Sequence, residues 1–157
     1  YFATALDKDK NPVDSITSNP GHCLMTGIVD ENKAKALVEQ LFSEEMYTGW
    51  GIRTLSSKMK RYNPFSYHNG SVWPHDNSLV LLGLINYGFS EKAKRLALDL
   101  LKAKERHNDN RLPELFSGLS VVETCGKLIE YPASCSPQLW SIGTLFVISS
   151  VLASDSA

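Results

Sequence analysis

Cysteine is scarce in this chain of 157 residues, which contains only Cys23, Cys125 and Cys135. An odd count without a Cys-x-x-Cys spacing argues against a disulfide framework and against a cysteine-based zinc site. Buried free thiols are typical of a reducing compartment, so the cysteines favour a cytoplasmic protein. No signal peptide is visible in the sequence, which agrees with that location.

The chain also lacks an excess of either charge, since it contains 16 Lys and Arg residues and 17 Asp and Glu residues. This balance disfavours binding to nucleic acid or to an anionic membrane by electrostatic attraction. No apolar run reaches the roughly 18–20 residues of a membrane span. The longest run, residues 142–152, is interrupted by Gly143 and Thr144. We therefore expect no nucleic-acid partner and no membrane partner.

Several motifs of cofactor and metal chemistry are missing as well. The sequence has no GxSxG nucleophile turn, and Gly49 and Gly51, which flank Trp50, do not form a phosphate-binding loop. His68 and His75 fit no strong metal-binding spacing and have no evident third ligand. We expect neither a metal ion nor a cofactor.

Helical periodicity, by contrast, is abundant, and hydrophobic residues make up 43% of the chain. In the second and fourth of five predicted helices the apolar residues form one stripe, whereas the third and fifth are apolar on nearly all sides. Such alternation indicates an all-α fold of two nested layers, which five helices do not complete. The predicted helices cover residues 19–28, 31–43, 74–87, 91–107 and 137–152, and the predicted N-caps of the second, fourth and fifth are Asp30, Ser90 and Ser136.

The predicted organisation is a single segment over residues 1–157 with a frayed terminus at residues 153–157. The chain begins with Tyr1, in sequence that is typical of the middle of a protein. We therefore expect a fragment of a longer protein.

Two long loops, residues 47–73 and 108–135, contain most of the side chains suited to chemistry, and a short hairpin is expected at residues 121–129. Around the first loop, aromatic rings alternate with hydrogen-bonding groups, and sugar sites need both. The alternatives are a packed loop with buried aromatics and, for Asp76, a role in the first turn of a helix. The aromatic residues are Trp50, Tyr62, Phe65, Tyr67 and Trp73, and the polar ones are Arg53, His68, Asn69, His75 and Asp76.

Glu114 in the second loop is the candidate for proton transfer. Its neighbours Pro113 and Leu115 are apolar, so its carboxyl group is expected to be partly desolvated, which suits an acid or base. A glutamate on the surface of a loop is the alternative. Glu123 and Glu130 are rival carboxylates.

Four stretches in this order resemble the C-terminal part of the amylo-alpha-1,6-glucosidase (glycogen debranching enzyme) family of glycoside hydrolases. The resemblance covers nearly the whole chain, from about residue 1 to residue 152. It implies that the chain is the C-terminal portion of an (α/α)6 toroid, in which a ring of inner helices lies within a ring of outer helices. The stretches are residues 17–22, residues 50–55, residues 67–76, and residues 111–115 with 134–140.

The resemblance further implies hydrolysis of alpha-glucosidic linkages, with alpha-1,6 branches in an alpha-glucan or oligosaccharide as the expected substrate, by inversion. Glu114 matches the family's general base, whereas the general acid belongs to a segment that this chain lacks. Gln138 and Trp140 would support the helix behind the site. The residues matched to the substrate pocket are Trp50, Arg53, Tyr67, His68, Trp73, His75 and Asp76.

An incomplete toroid has consequences for the isolated chain. We expect it to be inactive alone and to expose apolar surface that packs against the N-terminal part of its parent protein or self-associates. Two other functions stay open. A related toroid glucosidase of trehalase-like, processing alpha-glucosidase-like or mannosylglycerate hydrolase-like specificity would cleave another sugar. A non-catalytic, carbohydrate-binding helical module would keep the aromatic residues without needing Glu114.

Overall fold

The computed structural model describes residues 2–153 as an all-α chain, similar to part of a toroid. The predicted class and the five predicted helices are confirmed. Ala153 belongs to the last helix, and the rest of the predicted frayed terminus, residues 154–157, lies outside the described residues. None of the described helices is long and apolar enough to cross a membrane. The helices are α1 (Pro20–Thr26), α2 (Glu31–Leu41), α3 (Pro74–Asn86), α4 (Ser90–Arg106) and α5 (Leu139–Ala153).

Helices α2 and α4 each bury one apolar face, as the spacing of their apolar residues predicts. The carboxylate of Asp30 accepts a hydrogen bond from the backbone N–H of Asn32, so Asp30 is the N-cap of α2, as predicted. The buried apolar residues are Ala34, Leu37, Val38 and Leu41 in α2, and Ala93, Leu96, Ala97, Leu100 and Ala103 in α4.

Helix α3 is central, because it packs against α1, α4 and α5. A Cβ atom at Gly83 would lie 2.5 Å from Leu24 Cβ and 2.8 Å from the backbone nitrogen of Met25. Only glycine allows α1 and α3 to approach so closely. Pro74 fits the first turn of α3 because no backbone N–H is needed there, and the helix therefore begins directly after Trp73.

Two of the predicted N-caps are wrong. Helix α4 begins at Ser90 itself, and no side chain caps its first turn. Helix α5 begins at Leu139, later than predicted, and the hydroxyl of Ser136 donates a hydrogen bond to Asp109 Oδ2 at 2.6 Å. Because α5 begins at Leu139, Ser136 lies outside the N-cap position, and its hydroxyl binds another loop instead.

Antiparallel bridges of single residues, rather than strands, join the long loops within residues 2–153. The backbone N–H of Val72 donates to the Phe116 carbonyl and the N–H of Phe116 to the Val72 carbonyl, both at 3.0 Å. Val72 also bridges to Arg53, and Phe116 to Glu130. The two loops therefore lie side by side, with Val72 and Phe116 fully buried between them.

The hairpin predicted for residues 121–129 is wrong. Residues 121–126 form tight turns, in which the backbone N–H of Gly126 donates to the Val121 carbonyl at 2.8 Å. The backbone N–H of Thr124 donates to the Ser120 carbonyl and that of Lys127 to the Thr124 carbonyl, so these hydrogen bonds close local turns instead of pairing two strands.

The prediction of buried thiols is also wrong. All three cysteines are free, but Cys23 is only half-buried, and Cys125 and Cys135 are exposed. Cys125 lies in the tight turn described above and Cys135 in a loop, where neither side chain can reach the core packed between the helices.

Helix α5 turns large apolar side chains outward. Leu139 is 83% exposed and Phe146 is 74% exposed. The side that packs against the other helices includes the small polar residues Ser141 and Thr144. An exposed apolar face of this kind is typical of a surface that contacts another part of a protein.

We expect this face to cause self-association of the isolated chain. Phe146→Lys should lower the associated fraction in sedimentation velocity, because a charged side chain cannot be buried without a partner. The fold should be retained, since substitutions at exposed positions change stability by only about 0.5 kcal/mol. Val122→Lys is the matched control, because Val122 is 86% exposed but lies outside the helices. An equal effect of both substitutions would contradict this assignment.

Candidate active site

Glu114 is held at three points by its surroundings and is only 7% exposed. Its backbone N–H donates to the Cys135 carbonyl at 2.9 Å, and the N–H of Cys135 returns a bond to Oε2 at 3.3 Å. The hydroxyl of Tyr67 donates to Oε1 at 2.6 Å. The carboxyl group therefore has one fixed orientation, with lone pairs left on both oxygens for a further donor.

Tyr67 connects this carboxylate to a group of stacked rings. The hydrogen bond to Glu114 raises the pKa of Tyr67 to about 12, so its hydroxyl stays protonated at neutral pH and remains a donor. The Tyr67 ring meets Trp73 edge to face, with 4.7 Å between the ring centroids. The phenol therefore joins the carboxyl group to an apolar surface.

The rings around Tyr67 form what we call the aromatic cluster. The indole N–H of Trp73 donates to the Tyr67 carbonyl at 3.0 Å, which fixes the orientation of the indole. His75 stacks on Trp140 with centroids 4.5 Å apart. Trp140 remains 44% exposed, so the cluster presents an apolar flat surface of the kind that sugar rings need. The cluster consists of Tyr67, His68, Trp73, His75, Tyr131 and Trp140.

Asp76 lies in the first turn of α3 and binds His22 from α1. His22 Nε2 is 2.6 Å from Asp76 Oδ1, and this hydrogen bond raises the pKa of His22 above its usual value. The neighbouring imidazole of His75 behaves oppositely, because burial lowers its pKa. Asp76 also lines a cavity of about 390 Å³ together with His68 and Trp73. Glu114 does not line this cavity.

Two of the predicted pocket residues lie apart from the aromatic cluster. Trp50 is buried in an apolar group with Val72 and Phe116. The Arg53 guanidinium is nearly fully buried; its Nε donates to the Gly118 carbonyl at 2.8 Å and its Nη1 to the Glu45 carbonyl at 2.9 Å. A buried guanidinium needs acceptors for its N–H groups, and here the protein backbone supplies them. The predicted contacts of Trp50 and Arg53 with a sugar stay predictions.

The rival carboxylates bind other groups. Glu123 accepts a hydrogen bond from the backbone N–H of Ser120 at 2.7 Å, which holds the pKa of Glu123 below its ordinary value. Glu130 accepts one from the N–H of Asn108 at 3.1 Å, just beyond the end of α4. Glu114 is the carboxylate that binds the aromatic cluster through Tyr67.

Sequence reasoning missed three features of this site. Tyr131 belongs to the cluster, although only its neighbour Glu130 is a predicted candidate, and Trp140 packs in the cluster itself instead of only supporting the helix behind it. The backbone of Cys135, which holds Glu114, gives no signal in a side-chain motif. Among the described residues, no group of three His, Cys, Asp or Glu side chains is arranged to hold a metal ion.

A family comparison identifies the class of protein. The sequence model of the mannosylglycerate hydrolase MGH1-like glycoside hydrolase domain matches residues 2–120, which include Glu114. The chain belongs to this glycoside hydrolase family. The expected class is therefore confirmed at the level of glycoside hydrolases, while the match does not distinguish an amylo-alpha-1,6-glucosidase. A comparison with curated proteins gave no match.

Solved structures from Thermus thermophilus share the fold of this glycoside hydrolase domain. An uncharacterized conserved protein superposes with a TM-score of 0.71 at 22% identity, over 89% of this chain and 33% of its own. The GH63 mannosylglycerate hydrolase in complex with glucose superposes with a TM-score of 0.67 at 23% identity, over 90% of this chain and 33% of its own. The same enzyme in complex with Tris and D-glycerate superposes with a TM-score of 0.71 at 22% identity, over 90% of this chain and 32% of its own. The domain thus spans about a third of each relative.

The His22–Asp76 pair should make the stability of the domain depend on pH. Because the pKa of folded His22 is raised, the pair stabilises the domain fully below about pH 6.5, and this contribution is lost as the pH rises through the raised value. Asp76→Asn should lower the pKa of His22 in an NMR titration and remove this part of the pH dependence of unfolding. Asp30→Asn, which removes the N-cap carboxylate of α2, should leave the pKa of His22 unchanged. A His22 pKa that did not respond to Asp76→Asn would refute the pairing.

Proposed function

We propose that this domain supplies the general base of an inverting glycoside hydrolase and that Glu114 is that base. The observation that carries the proposal is the fixed Glu114 carboxyl group, bound by Tyr67 and by the backbone of Cys135 beside the aromatic cluster. Membership of a glycoside hydrolase family supports the reaction class.

The chemistry follows from the requirements of inversion. One carboxylate takes a proton from water while the water attacks the anomeric carbon, and a carboxylic acid on the other side of the sugar protonates the leaving oxygen, roughly 6.5–9.5 Å away. The Tyr67 hydroxyl and the Cys135 N–H leave Glu114 lone pairs that can accept the water proton. The acid would come from outside this chain.

For the substrate, we propose an alpha-glycoside of glycerate or a similarly small alcohol. The match to the MGH1-like domain supports this choice, and one relative of the same fold is a mannosylglycerate hydrolase in complex with D-glycerate. Hydrolysis of alpha-1,6 branches in an alpha-glucan is the second candidate, and the resemblance of residues 67–76 and 134–140 to debranching enzymes supports it. Of the matched pocket residues, Tyr67, His68, Trp73 and His75 belong to the aromatic cluster and Asp76 lines the nearby cavity.

We also propose that the rest of a longer enzyme packs on the exposed face of α5 and completes the site. The apolar side chains of Leu139 and Phe146 support this, as does the length of the relatives, of which the domain spans about a third. Free thiols at all three cysteines favour a cytoplasmic location for such an enzyme.

The general-base assignment predicts the effect of Glu114→Gln in an enzyme that contains this domain. The amide keeps the shape of the side chain but cannot take a proton, so kcat should fall by about 10²–10⁴-fold. Sugar binding measured by calorimetry should change little. Glu123→Gln is the control, because this carboxylate binds Ser120 instead. Unchanged turnover in Glu114→Gln would refute the assignment, and Glu130→Gln would then test the rival carboxylate.

Substrate choice is tested by comparing kcat/KM for mannosylglycerate, trehalose and an alpha-1,6-branched glucan. We expect the glycerate glycoside to react fastest. Preference for the branched glucan would instead support the debranching function. Sugar binding without hydrolysis of any of these substrates, with Glu114 intact, would favour a carbohydrate-binding module.

A further inference from the structure

The loop segment of residues 134–136 holds Glu114 in place. Cys135 exchanges two hydrogen bonds with Glu114, as described above. The hydroxyl of Ser134 accepts a third from the backbone N–H of Leu115 at 3.2 Å. Yet Cys135 and Ser136 are exposed, so burial of apolar surface does not anchor this segment. Other contacts must keep it in position.

Asp109 provides such a contact, just beyond the end of α4. Its Oδ2 accepts the hydrogen bond from the Ser136 hydroxyl at 2.6 Å. Its Oδ1 lies 2.6 Å from His107 Nδ1 and accepts a bond from the backbone N–H of Arg111 at 3.1 Å. One carboxylate therefore connects its own loop, residues 107–111, to the segment of residues 134–136.

The His107 side chain, which contacts Asp109, is itself held in place by its surroundings. Its imidazole is only 9% exposed, and its Nε2 lies 3.8 Å from Glu130 Oε1. The backbone N–H of His107 donates to the Ala103 carbonyl in the last turn of α4. The ring therefore has little freedom to move, and its contact with Asp109 holds that carboxylate in a fixed position relative to α4.

We propose that Asp109 is a positioning residue for Glu114, acting through Ser136 and the backbone of Cys135. The proposal rests on the proposed role of Glu114 as the base. Hydrogen bonds to an ionised carboxylate are short and strong, which suits a link in an exposed segment. The hydrogen bond from Ser136 also holds the pKa of Asp109 below its ordinary value, so the carboxylate is ionised at neutral pH.

Loss of this link should change the position of the Glu114 carboxylate. When the Asp109–Ser136 bond is lost, the segment of residues 134–136 gains freedom, and the N–H of Cys135 no longer fixes Oε2 of Glu114. A displacement of about 1 Å at a reacting group can reduce the rate about 100-fold. Turnover should therefore fall with little change in sugar binding, because Asp109 does not belong to the aromatic cluster.

Hydrogen exchange of single backbone amides, measured by NMR on the whole 157-residue chain, tests the link directly. The reporters are the amides of Glu114 and Cys135, which both lie in the hydrogen-bonded pair. Asp109→Ala and Ser136→Ala should each speed their exchange about three- to tenfold, as expected for loss of one hydrogen bond. The double variant should be no faster than Asp109→Ala, because the bond that Ser136→Ala removes is already lost in Asp109→Ala.

Two further variants separate positioning from general stability. Ser136→Thr keeps a hydroxyl group and should restore slow exchange at both reporters. Asp30→Ala removes the N-cap of α2 and lowers global stability without touching the loop. It should speed the exchange of core amides but leave the exchange of the two reporter amides nearly unchanged, because loop amides exchange through local opening.

The inference is overturned if neither single variant changes the two reporters, or if both variants act like Asp30→Ala. Reporter amides without protection in the unmodified chain would overturn it as well. In an enzyme containing this domain, Asp109→Ala should lower kcat about 10–100-fold with KM nearly unchanged. Failure of the proposed function is recognised separately: Glu114→Gln would then leave turnover intact, whereas the exchange result would still stand.

Discussion

The reciprocal backbone hydrogen bonds between Val72 and Phe116 are the contact on which the candidate site depends. Both residues are fully buried, so these bonds lie in surroundings where an unpaired N–H or carbonyl would be costly. Trp73 follows Val72 directly, and Glu114 precedes Phe116 by two positions. One pair of hydrogen bonds therefore brings the loop with the aromatic residues beside the loop with the carboxylate, although the two are more than forty positions apart in the sequence.

Helix α3 extends this constraint from the loops to the core. It begins with Pro74, immediately after Trp73, and Gly83 allows it to pack closely on α1. The first turn therefore has a fixed direction, which aims Asp76 at His22 on α1. Rigid helices and a buried pair of hydrogen bonds thus position the side chains, whereas most of those side chains belong to loops. This division suits a site whose groups must be held within fractions of an ångström.

Features that depend on neighbouring residues could be predicted from the sequence, and features that depend on distant partners could not. The stripes of α2 and α4 repeat every three or four residues, so they are visible in the chain itself. Ser136 has the residue type and position of an N-cap, but its partner Asp109 lies 27 positions away. Arg53 has the residue type of a ligand-binding group, but the distant Gly118 carbonyl accepts one of its N–H groups. The apolar neighbours of Glu114 and the resemblance both indicate this carboxylate in the sequence, but its hydrogen bond from Tyr67 joins residues 47 positions apart and depends on the fold.

Trp140 links the proposed chemistry to the proposed assembly. Its indole packs on His75 within the aromatic cluster, and it also belongs to the exposed apolar surface of α5. Burial of apolar surface contributes about 25 cal/mol per Å², so a segment that covers α5 is favoured wherever it meets these side chains. The same segment would lie against one edge of the aromatic cluster and form a wall of the sugar site there. In the proposed assembly, one covering segment would complete both the fold and the active site, and the general acid would arrive with it.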